Sequence, residues 1–469
     1  MIKKLLSLLG GYALATLAQG LVGLLAVPLL LHIFSASNFT YWVLLEPIVA
    51  MMAGLIWLGS QYGVLHAIPV KKIKANQVPH LFYKFASGPA FFILLVGVPS
   101  VCLLLNLMNK GFLFVAILIV YVFCEGLILL SQFLSRAKAD SVSFAITVWV
   151  RSGGLLLLLL VLNKFDIKLE LITFIFLMSL LDCIVLVFIA LRKNRFTLVE
   201  SLLSPSDYWG LVKYGIPFVV SGALTMMAGN MDRYVLNHSL AAEELASYLI
   251  LAKIAGAMNF AIAPVNLWWP VARHLHVSDP DAGSMFFKSA YSIILGFYLF
   301  SAVVLFISAS YLLPWYAPGL LIKDESALAV LLLAWVAQAM GSVMNVGALS
   351  PGKTHLVLVS SVIAVLVGLC ASLLLTAKWP FYGAAAAVLI SQLIGLILNC
   401  RISQKIQYVE IPYIKMLLLV LSSSFVTSVH IKYGSVEVDV LVGCVLGLLF
   451  LFILKRDIFS LQLNKKIIE

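Results

Sequence analysis

Long apolar runs, each about as long as a bilayer is thick, follow one another along the whole chain. An α-helix needs roughly 20 mostly apolar residues to cross the hydrocarbon core of a membrane. Of the 469 residues, 63% are hydrophobic and only 11% are charged, a composition that excludes an ordinary soluble protein. The sequence therefore predicts an all-α, polytopic membrane protein with about 14 transmembrane helices. It leaves no length for a sizeable soluble catalytic domain.

The spans fall into two lobes of six and a terminal pair. Short polar breaks delimit them at approximately 8–33, 40–67, 82–106, 111–134, 142–162, 170–191, 212–237, 245–269, 287–313, 326–348, 354–377, 382–400, 412–430 and 437–454. We predict an N-lobe over residues 1–200 (spans 1–6) and a C-lobe over residues 201–404 (spans 7–12). Residues 405–469 are predicted to form the terminal helix pair (spans 13–14) and a cytoplasmic tail.

Lysine and arginine are divided unequally between the two sides that this alternation defines. With the N-terminus placed inside, 22 of the 31 fall inside, six fall outside and three lie within spans. Cytoplasmic loops of membrane proteins carry such an excess. We therefore predict a multi-pass membrane protein with both termini in the cytoplasm. The net charge of +11 then reflects orientation, and no nucleic acid partner is predicted.

The two lobes show a weak internal likeness. The segments SASNFTYW at residues 35–42 and AAEELASY at residues 241–248 open the second and the eighth span, which are equivalent places in a six-span unit. Each copy contains an even number of spans, so the repeats are predicted to be parallel, related by an axis along the membrane normal. Such architectures place the substrate between the lobes.

Ionisable residues inside the spans are the most informative ones, because a charge at the bilayer centre costs at least about 2.5 to 3.5 kcal/mol. They usually face a bundle interior or a water-filled cavity and mark substrate or ion pathways. Here they are the acids Glu46, Glu125, Asp182 and Asp232 and the bases Arg151, Arg233 and Lys253. We expect them to converge on the space between the lobes.

The bases and the acids are predicted to have different roles. A guanidinium binds phosphate oxygens bidentately and an ammonium acts as a point charge. We therefore predict that Arg151, Arg233 and Lys253 bind an anionic head group, with Asn230 hydrogen bonding to sugar hydroxyls. A carboxylate in a low-dielectric cavity readily takes up a proton or a cation. The candidate sites for a coupling H⁺ or Na⁺ are Glu46, Glu125, Asp182 and Asp232.

A second interpretation is that these charges only neutralise one another and hold helices together, for example Arg151 with Asp182 and Asp232 with Lys253. Adjacent positions on a helix point about 100° apart. Asp232 and Arg233 are therefore not expected to form a face-to-face pair, and one of them should have a partner elsewhere.

No motif in the sequence predicts catalysis, a metal site or a cofactor beyond the coupling ion. The segment GALSPGKT at residues 347–354 matches the P-loop pattern, but it lies in a turn between two predicted spans and not between a strand and a helix. Lys353 is predicted to be a cytoplasmic anchor. The six cysteines are scattered through apolar runs without C-x-x-C spacing, so they are interpreted as core residues.

Several of these segments are similar to those of a known family. The segment NMDRYVL at residues 230–236, the acidic turn EELASY at residues 243–248, PVAR at residues 270–273 and GKT at residues 352–354 resemble the MOP exporter superfamily. Within it they look like the polysaccharide flippases that move undecaprenyl-pyrophosphate-linked O-antigen or capsule repeat units. The resemblance implies alternating access by rocking lobes around a central cationic cavity, with the polyprenyl tail left in the lipid.

The resemblance also implies a location in the bacterial cytoplasmic (inner) membrane. The partners it implies are the lipid-linked glycan, membrane lipids and a polysaccharide polymerase machinery. Two alternatives remain open at this stage. One is a multidrug or small-metabolite antiporter on the same scaffold, which would favour acidic cavities. The other is a membrane-embedded glycan polymerase or ligase, although such an enzyme usually needs a large outer loop and the outer intervals here are short, such as the one of about ten residues within 162–171.

Overall fold

A computed structural model describes residues 2–68, 77–105, 107–138, 140–193, 204–276, 280–317, 325–346, 355–433 and 435–468. Within these ranges the chain forms α-helices and one 3₁₀ turn, Met108–Lys110, and no β-strand. The P-loop-like turn at residues 347–354 lies outside the described residues, as do Lys71, Lys72, Lys74, Arg195 and Lys323, which entered the charge count. The predicted all-α fold is confirmed.

The described helices include 14 that are long and apolar enough to cross a membrane, from Leu14–Ile33 to Glu437–Asp457. Large apolar side chains remain exposed on them, such as Phe112, Trp315 and Phe452. In water such exposure would be costly, whereas acyl chains cover it without penalty. The predicted number of spans is therefore confirmed, and the chain is a multi-pass membrane protein.

The chain divides into two compact units, Met1–Met226 and Met227–Glu469. The first contains α1 (Ile2–Ile33), α2 (Ala36–Leu55), α3 (Ser60–Ala67), α4 (Val78–Phe85), α5 (Ser87–Leu104), α6 (Phe112–Ala137), α7 (Ser141–Lys164), α8 (Leu171–Lys193) and nearly all of α9 (Pro205–Ala228). The boundary between the units falls inside α9, later than residue 200. The predicted separation of a terminal pair from a C-lobe stays a prediction.

The second unit contains α10 (Met231–Asn237), α11 (Ala242–Gly256), α12 (Asn259–His276), α13 (Pro280–Tyr316), α14 (Ser326–Val343), α15 (His355–Thr376), α16 (Pro380–Ile406), α17 (Tyr413–Tyr433) and α18 (Val436–Ile468). The same packing pairs recur in both units. In the first, α1 packs on α7, α2 on α6 and α6 on α8; in the second, α10 packs on α15, α11 on α14 and α14 on α16. Counted as spans, these are equivalent positions, which supports the predicted repeat.

Besides the one-residue turn at Ala86 that divides the span predicted at 82–106 into α4 and α5, three predicted spans are broken rather than continuous. The span predicted at residues 40–67 ends as a helix at Leu55 and resumes at Ser60, with Leu58 (φ 49°) and Gly59 (φ 80°) in left-handed conformations between them. A Cβ at Gly59 would lie 2.5 Å from the carbonyl carbon of Gly215 in α9. Glycine is therefore required twice here, for the backbone conformation and for the close approach.

The other two breaks lie in the second unit, at the start of its repeat. The span predicted at residues 212–237 is interrupted between Ala228 and Met231, so α9 and α10 are separate helices. The span predicted at residues 245–269 is interrupted between Gly256 and Asn259. Broken helices at membrane depth persist where the freed backbone groups are buried in protein or line a polar cavity, and they are common at transporter binding sites.

Candidate functional site

The first unit contains a buried cluster of opposite charges at the meeting of α6, α7 and α8. The Arg151 guanidinium on α7 donates through Nε to Oδ1 of Asp182 on α8 at 2.9 Å. Through Nη2 it also donates to Oε1 of Glu125 on α6. Only 19% of the Arg151 side chain is exposed, and none of that of Asp182. One arginine therefore joins three helices at membrane depth.

This cluster carries more acid than base. Arg151 supplies one positive charge for the two carboxylates of Glu125 and Asp182, and Oδ2 of Asp182 is buried with no hydrogen-bond partner among the described residues. The Tyr121 hydroxyl, one helical turn before Glu125, donates to Oε1 of that residue at 3.4 Å. A buried carboxylate that is not fully compensated is expensive, so the cluster is suited to take up a proton or a small cation.

Glu46 is the fourth predicted acid of the ion-coupling set. It lies on α2, with an exposed side chain, close enough to Tyr121 to interact with it electrostatically. α2 packs on α6 and α8, the helices that carry Glu125 and Asp182. The structure thus brings Arg151, Glu125 and Asp182 into direct contact and places Glu46 beside them through Tyr121.

The second unit holds the remaining predicted residues, three of them around the break between α9 and α10. Asp232, in the first turn of α10, is 1% exposed and accepts a hydrogen bond at Oδ2 from the Tyr248 hydroxyl of α11. Its Oδ1 is buried with no hydrogen-bond partner among the described residues. The phenol satisfies half of this carboxylate, and the other oxygen remains available to an ion or a ligand.

Arg233 follows Asp232 and is also buried, with 8% of its surface exposed. Its Nε has no hydrogen-bond partner among the described residues. A guanidinium is always charged and has five donors, so a buried donor without an acceptor is costly. The arrangement favours an acceptor brought in from outside the chain, and an anionic group is the strongest one.

The break itself positions these two side chains. Asn230 precedes α10 with φ −133°, and its carbonyl accepts from the Arg233 backbone N–H at 3.2 Å, which closes a single turn. Asn230 is half-buried beside the charged pair. Lys253 lies half-buried in the last turn of α11. Asn230, Asp232 and Arg233 therefore lie together at the break between α9 and α10, whereas Lys253 lies next to the break between α11 and α12.

The sequence predicted the charged residues of these two clusters and missed the tyrosines that contact them, Tyr121 and Tyr248. Pairing of Arg151 with Asp182 was foreseen as the neutralising interpretation, and the structure shows it, with Glu125 as a second partner. Tyr121 was detectable as the residue four positions before Glu125, on the same helical face. Tyr248 had no such signal, because its contact with Asp232 depends on how α10 packs against α11.

A metal site was not predicted, and the described residues contain no group of three or more His, Cys, Asp or Glu side chains that could hold a metal ion. The cysteines of the described chain are all free, although Cys124 Sγ and Cys183 Sγ approach to 3.6 Å between α6 and α8. The two candidate clusters, one in each unit, thus consist of ion pairs, hydroxyls and buried polar atoms without a partner among the described residues.

No protein-family model matches the sequence, and no curated protein matches it significantly. Solved structures do match. The lipid II flippase MurJ, in an inward closed conformation, aligns with a TM-score of 0.63 and 13% identity over 96% of this chain and 99% of that one. An inward-facing multidrug resistance MATE family transporter of the MOP superfamily aligns with a TM-score of 0.54 and 13% identity, over 87% of this chain and 96% of that one.

A mutant of the Vibrio cholerae MATE transporter VcmN gives a TM-score of 0.51 and 15% identity, over 86% of this chain and 96% of that one. Identities this low establish the fold and nothing finer. The chain therefore has the fold of these transporter structures, one of which is described as a member of the MOP superfamily. The resemblance inferred from the local segments is confirmed at that level.

Proposed function

We propose that the protein is a flippase that moves an undecaprenyl-pyrophosphate-linked oligosaccharide, such as an O-antigen or capsule repeat unit, across the bacterial cytoplasmic membrane by alternating access. The observation that carries this proposal is the buried Arg233 guanidinium, which stands at a helix break with an unpartnered Nε. A pyrophosphate supplies the acceptors that this donor lacks. Asn230, at the same break, adds an amide for the sugar, and Lys253, in the last turn of α11, adds a point charge.

The likeness to MurJ supports a lipid-linked cargo over other cargoes of this fold. That structure is described as a lipid II flippase and covers 96% of this chain at a TM-score of 0.63. MATE transporter structures cover 86% to 90% of this chain at TM-scores of 0.51 to 0.59. The proposal leaves the polyprenyl tail in the bilayer, because transferring it to water would cost about 0.8 kcal/mol for each CH₂.

Arg151 is not proposed to bind the substrate, although its charge alone suggested that role. Its guanidinium already bonds to Glu125 and Asp182, so fewer of its donors are open to a substrate than those of Arg233. We propose that the Arg151 cluster and Asp232 serve ion coupling, since each holds a buried carboxylate oxygen with no partner. An H⁺ or Na⁺ that compensates this charge would link transport to an ion gradient.

Replacement of Arg233 tests the proposal directly. Arg233→Ala is expected to lower translocation of a fluorescent undecaprenyl-pyrophosphate-linked oligosaccharide in proteoliposomes by about tenfold or more, since a hydrogen bond to a charged group contributes about 1.5 to 3 kcal/mol. Arg233→Lys should retain part of the rate, because the charge remains while the bidentate geometry is lost. In cells the Ala variant should abolish surface polysaccharide.

The matched control is Arg401→Ala, an exposed arginine on α16 of the same unit, which should leave the rate unchanged. All three variants must appear in the membrane at wild-type levels. A wild-type rate in the Arg233→Ala variant would contradict the proposed role of this residue. Failure of the wild-type protein to move the labelled lipid would contradict the proposed function.

A drug or metabolite antiporter is the second candidate, and the excess of acid around Arg151 is the observation that favours it, because a cationic compound could be bound there. Drug-susceptibility tests with and without the protein separate the two candidates. A glycan polymerase or ligase is disfavoured by the short connection between α7 and α8, residues 165–170. We accordingly propose a transporter and not an enzyme, with polysaccharide polymerase machinery as a neighbour.

A further inference from the structure

Four polar side chains meet at one end of α13, α17 and α18, far along the sequence from the residues described so far. His430 Nδ1 lies 2.7 Å from Oδ1 of Asp439, and His430 Nε2 lies 3.0 Å from Oγ of Ser310. The Tyr311 hydroxyl donates to Oδ2 of Asp439. One histidine therefore joins a carboxylate on α18 to a hydroxyl on α13 from its own position on α17.

The His430–Asp439 pair at the centre of this cluster is buried, whereas Tyr311 at its edge is exposed. His430 is 8% exposed and Asp439 is 5% exposed. The Phe306 ring packs edge-on against the imidazole, with the ring centroids 5.3 Å apart. Burial of an ionised Asp–His pair at this position removes both groups from solvent, so its state of charge has a large effect on how the three helices hold together.

The hydrogen-bond geometry accommodates both protonation states of the histidine. A carboxylate only accepts, so Nδ1 carries a hydrogen and donates to Asp439 in either state. When the ring is neutral, Nε2 accepts from the Ser310 hydroxyl. When the ring is protonated, Nε2 donates to Ser310 Oγ, and the hydroxyl hydrogen turns to the Phe306 carbonyl oxygen, 3.4 Å away. No heavy atom has to move.

Proton uptake by His430 also lowers the electrostatic cost of burying the Asp439 carboxylate. With a neutral ring the cluster contains a buried carboxylate that only hydrogen bonds compensate. With a protonated ring it contains a charge-neutral pair. Histidine is the side chain that ordinarily exchanges a proton near physiological pH, which makes it suited to such a site.

Groups from two neighbouring helices face the His430 ring. From α13 they are Ser310 and Tyr311, and from α18 the facing acid is Asp439. α14 packs on α13 and contributes apolar residues to the adjoining groove. The other charged side chains that the structure describes at these helix ends are exposed: Glu325, Lys432 and Glu437.

We propose that His430 and Asp439, with Ser310 and Tyr311, form a proton-binding site through which the terminal helices respond to pH. Resting on the proposed function, this inference assigns H⁺ as a ligand that transport uses in addition to any ion at the Arg151 cluster. The orientation predicted from Lys and Arg places these helix ends outside the cell, where protons are plentiful in an energised bacterium.

The opposite ends of the same helices are joined differently. Lys415 Nζ lies 2.8 Å from both Oδ1 and Oδ2 of Asp457, and Lys288 pairs with Glu410. Lysine and acidic residues keep their charges through the physiological range. Proton binding at His430 therefore strengthens one end of the three-helix contact while the other end stays constant.

The site is tested first by direct titration, in protein labelled with ¹⁵N-histidine and reconstituted in lipid bilayers. The His430 resonances are identified as those that disappear from the spectrum in His430→Gln, and they should change with pH. In Asp439→Asn the Nδ1 resonance and its response to pH should differ from those of the wild-type protein, because the carboxylate no longer accepts from Nδ1. Ser310→Ala should alter the Nε2 resonance and leave Nδ1 unchanged, which a merely structural role would not do.

The matched control is the other His–carboxylate pair of the chain, His32 Nε2 with Asp166 Oδ1 at 3.2 Å, which is exposed. A hydrogen bond from Lys168 and its charge lower the pKa of Asp166, and His32 adds a smaller effect in the same direction. Asp166 thus stays ionised from about pH 5 to 8. The His32→Gln variant therefore shows what is lost when a His–carboxylate pair that is exposed to solvent is removed.

Transport is the second readout, with the fluorescent lipid-linked oligosaccharide in proteoliposomes whose outer pH is varied. The wild-type and His32→Gln rates should depend on outer pH, and His430→Gln should lose that dependence and lower the rate several-fold. An unchanged pH dependence in His430→Gln, or a His430 signal that does not titrate, would overturn the inference. If the wild-type protein moves no labelled lipid, the proposed function fails, and the ¹⁵N titration alone still decides whether the site binds a proton.

Discussion

At the scale of single residues, the ionisable groups inside the spans divide into those that the chain itself satisfies and those that it does not. Arg151 has two carboxylate partners, whereas Arg233 has a buried Nε with none among the described residues. Two arginines inside predicted spans thus differ in whether the chain compensates their buried donors. That difference, rather than the presence of charge, separates a binding candidate from a structural one.

Removal of the Arg151 side chain should destabilise the first unit strongly. Arg151→Ala leaves Glu125 and Asp182 buried without their cation, and the loss of one partner from a buried ion pair costs about 3 to 5 kcal/mol. We expect a markedly lower unfolding temperature in detergent, measured by tryptophan fluorescence. The triple variant Arg151→Ala, Glu125→Gln, Asp182→Asn should recover most of the loss, because it removes every charge. A triple variant as unstable as the single one would contradict the electrostatic explanation.

At the scale of the secondary-structure elements, the helix breaks are the features that position functional groups. α2 and α3, α9 and α10, and α11 and α12 each correspond to one apolar run in the sequence that the structure divides. In the first of these breaks, the close approach of Gly59 to Gly215 places the start of α3 against α9. Two glycines therefore set the geometry of a segment that hydropathy alone treats as continuous.

Alanine at Gly215 should disturb this contact. A Cβ there would overlap the Gly59 carbonyl oxygen, and backbone atoms cannot move aside as a side chain can. We expect a destabilisation of about 1 to 3 kcal/mol, as for other overpacked sites. Gly222→Ala, on the same helix with no atom within 4 Å of the added Cβ, should be neutral or slightly stabilising. Equal unfolding temperatures for the two variants would show that the close approach does not matter.

At the scale of the whole molecule, orientation in the membrane follows from the distribution of Lys and Arg and is open to a direct test. In a variant without the six native cysteines, Ser435→Cys between α17 and α18 should react with a membrane-impermeant maleimide added to intact cells. Ser206→Cys at the start of α9 should react only after permeabilisation. Both serines are exposed. The reverse labelling pattern would overturn the predicted topology.

The sequence alone determined the class of the molecule. Fourteen apolar runs of bilayer length and the asymmetry of Lys and Arg predict a polytopic helical protein, because the energy of placing a residue in hydrocarbon depends on its own chemistry more than on its neighbours. The same argument singled out Arg151, Arg233, Asp182 and Asp232 as unusual. The segments around residues 230–248 gave the resemblance that the fold bears out.

Only the tertiary structure decided which charges meet. Whether Arg151 faces Glu125 as well as Asp182, whether Tyr248 reaches Asp232, and whether Ser310, His430 and Asp439 converge all depend on how helices distant in sequence rotate and cross. Hydropathy is summed along one helix, whereas a hydrogen bond depends on a distance between two helices and changes with small rotations of either one. For that reason the span count could be read from composition, and the proton-binding cluster could not.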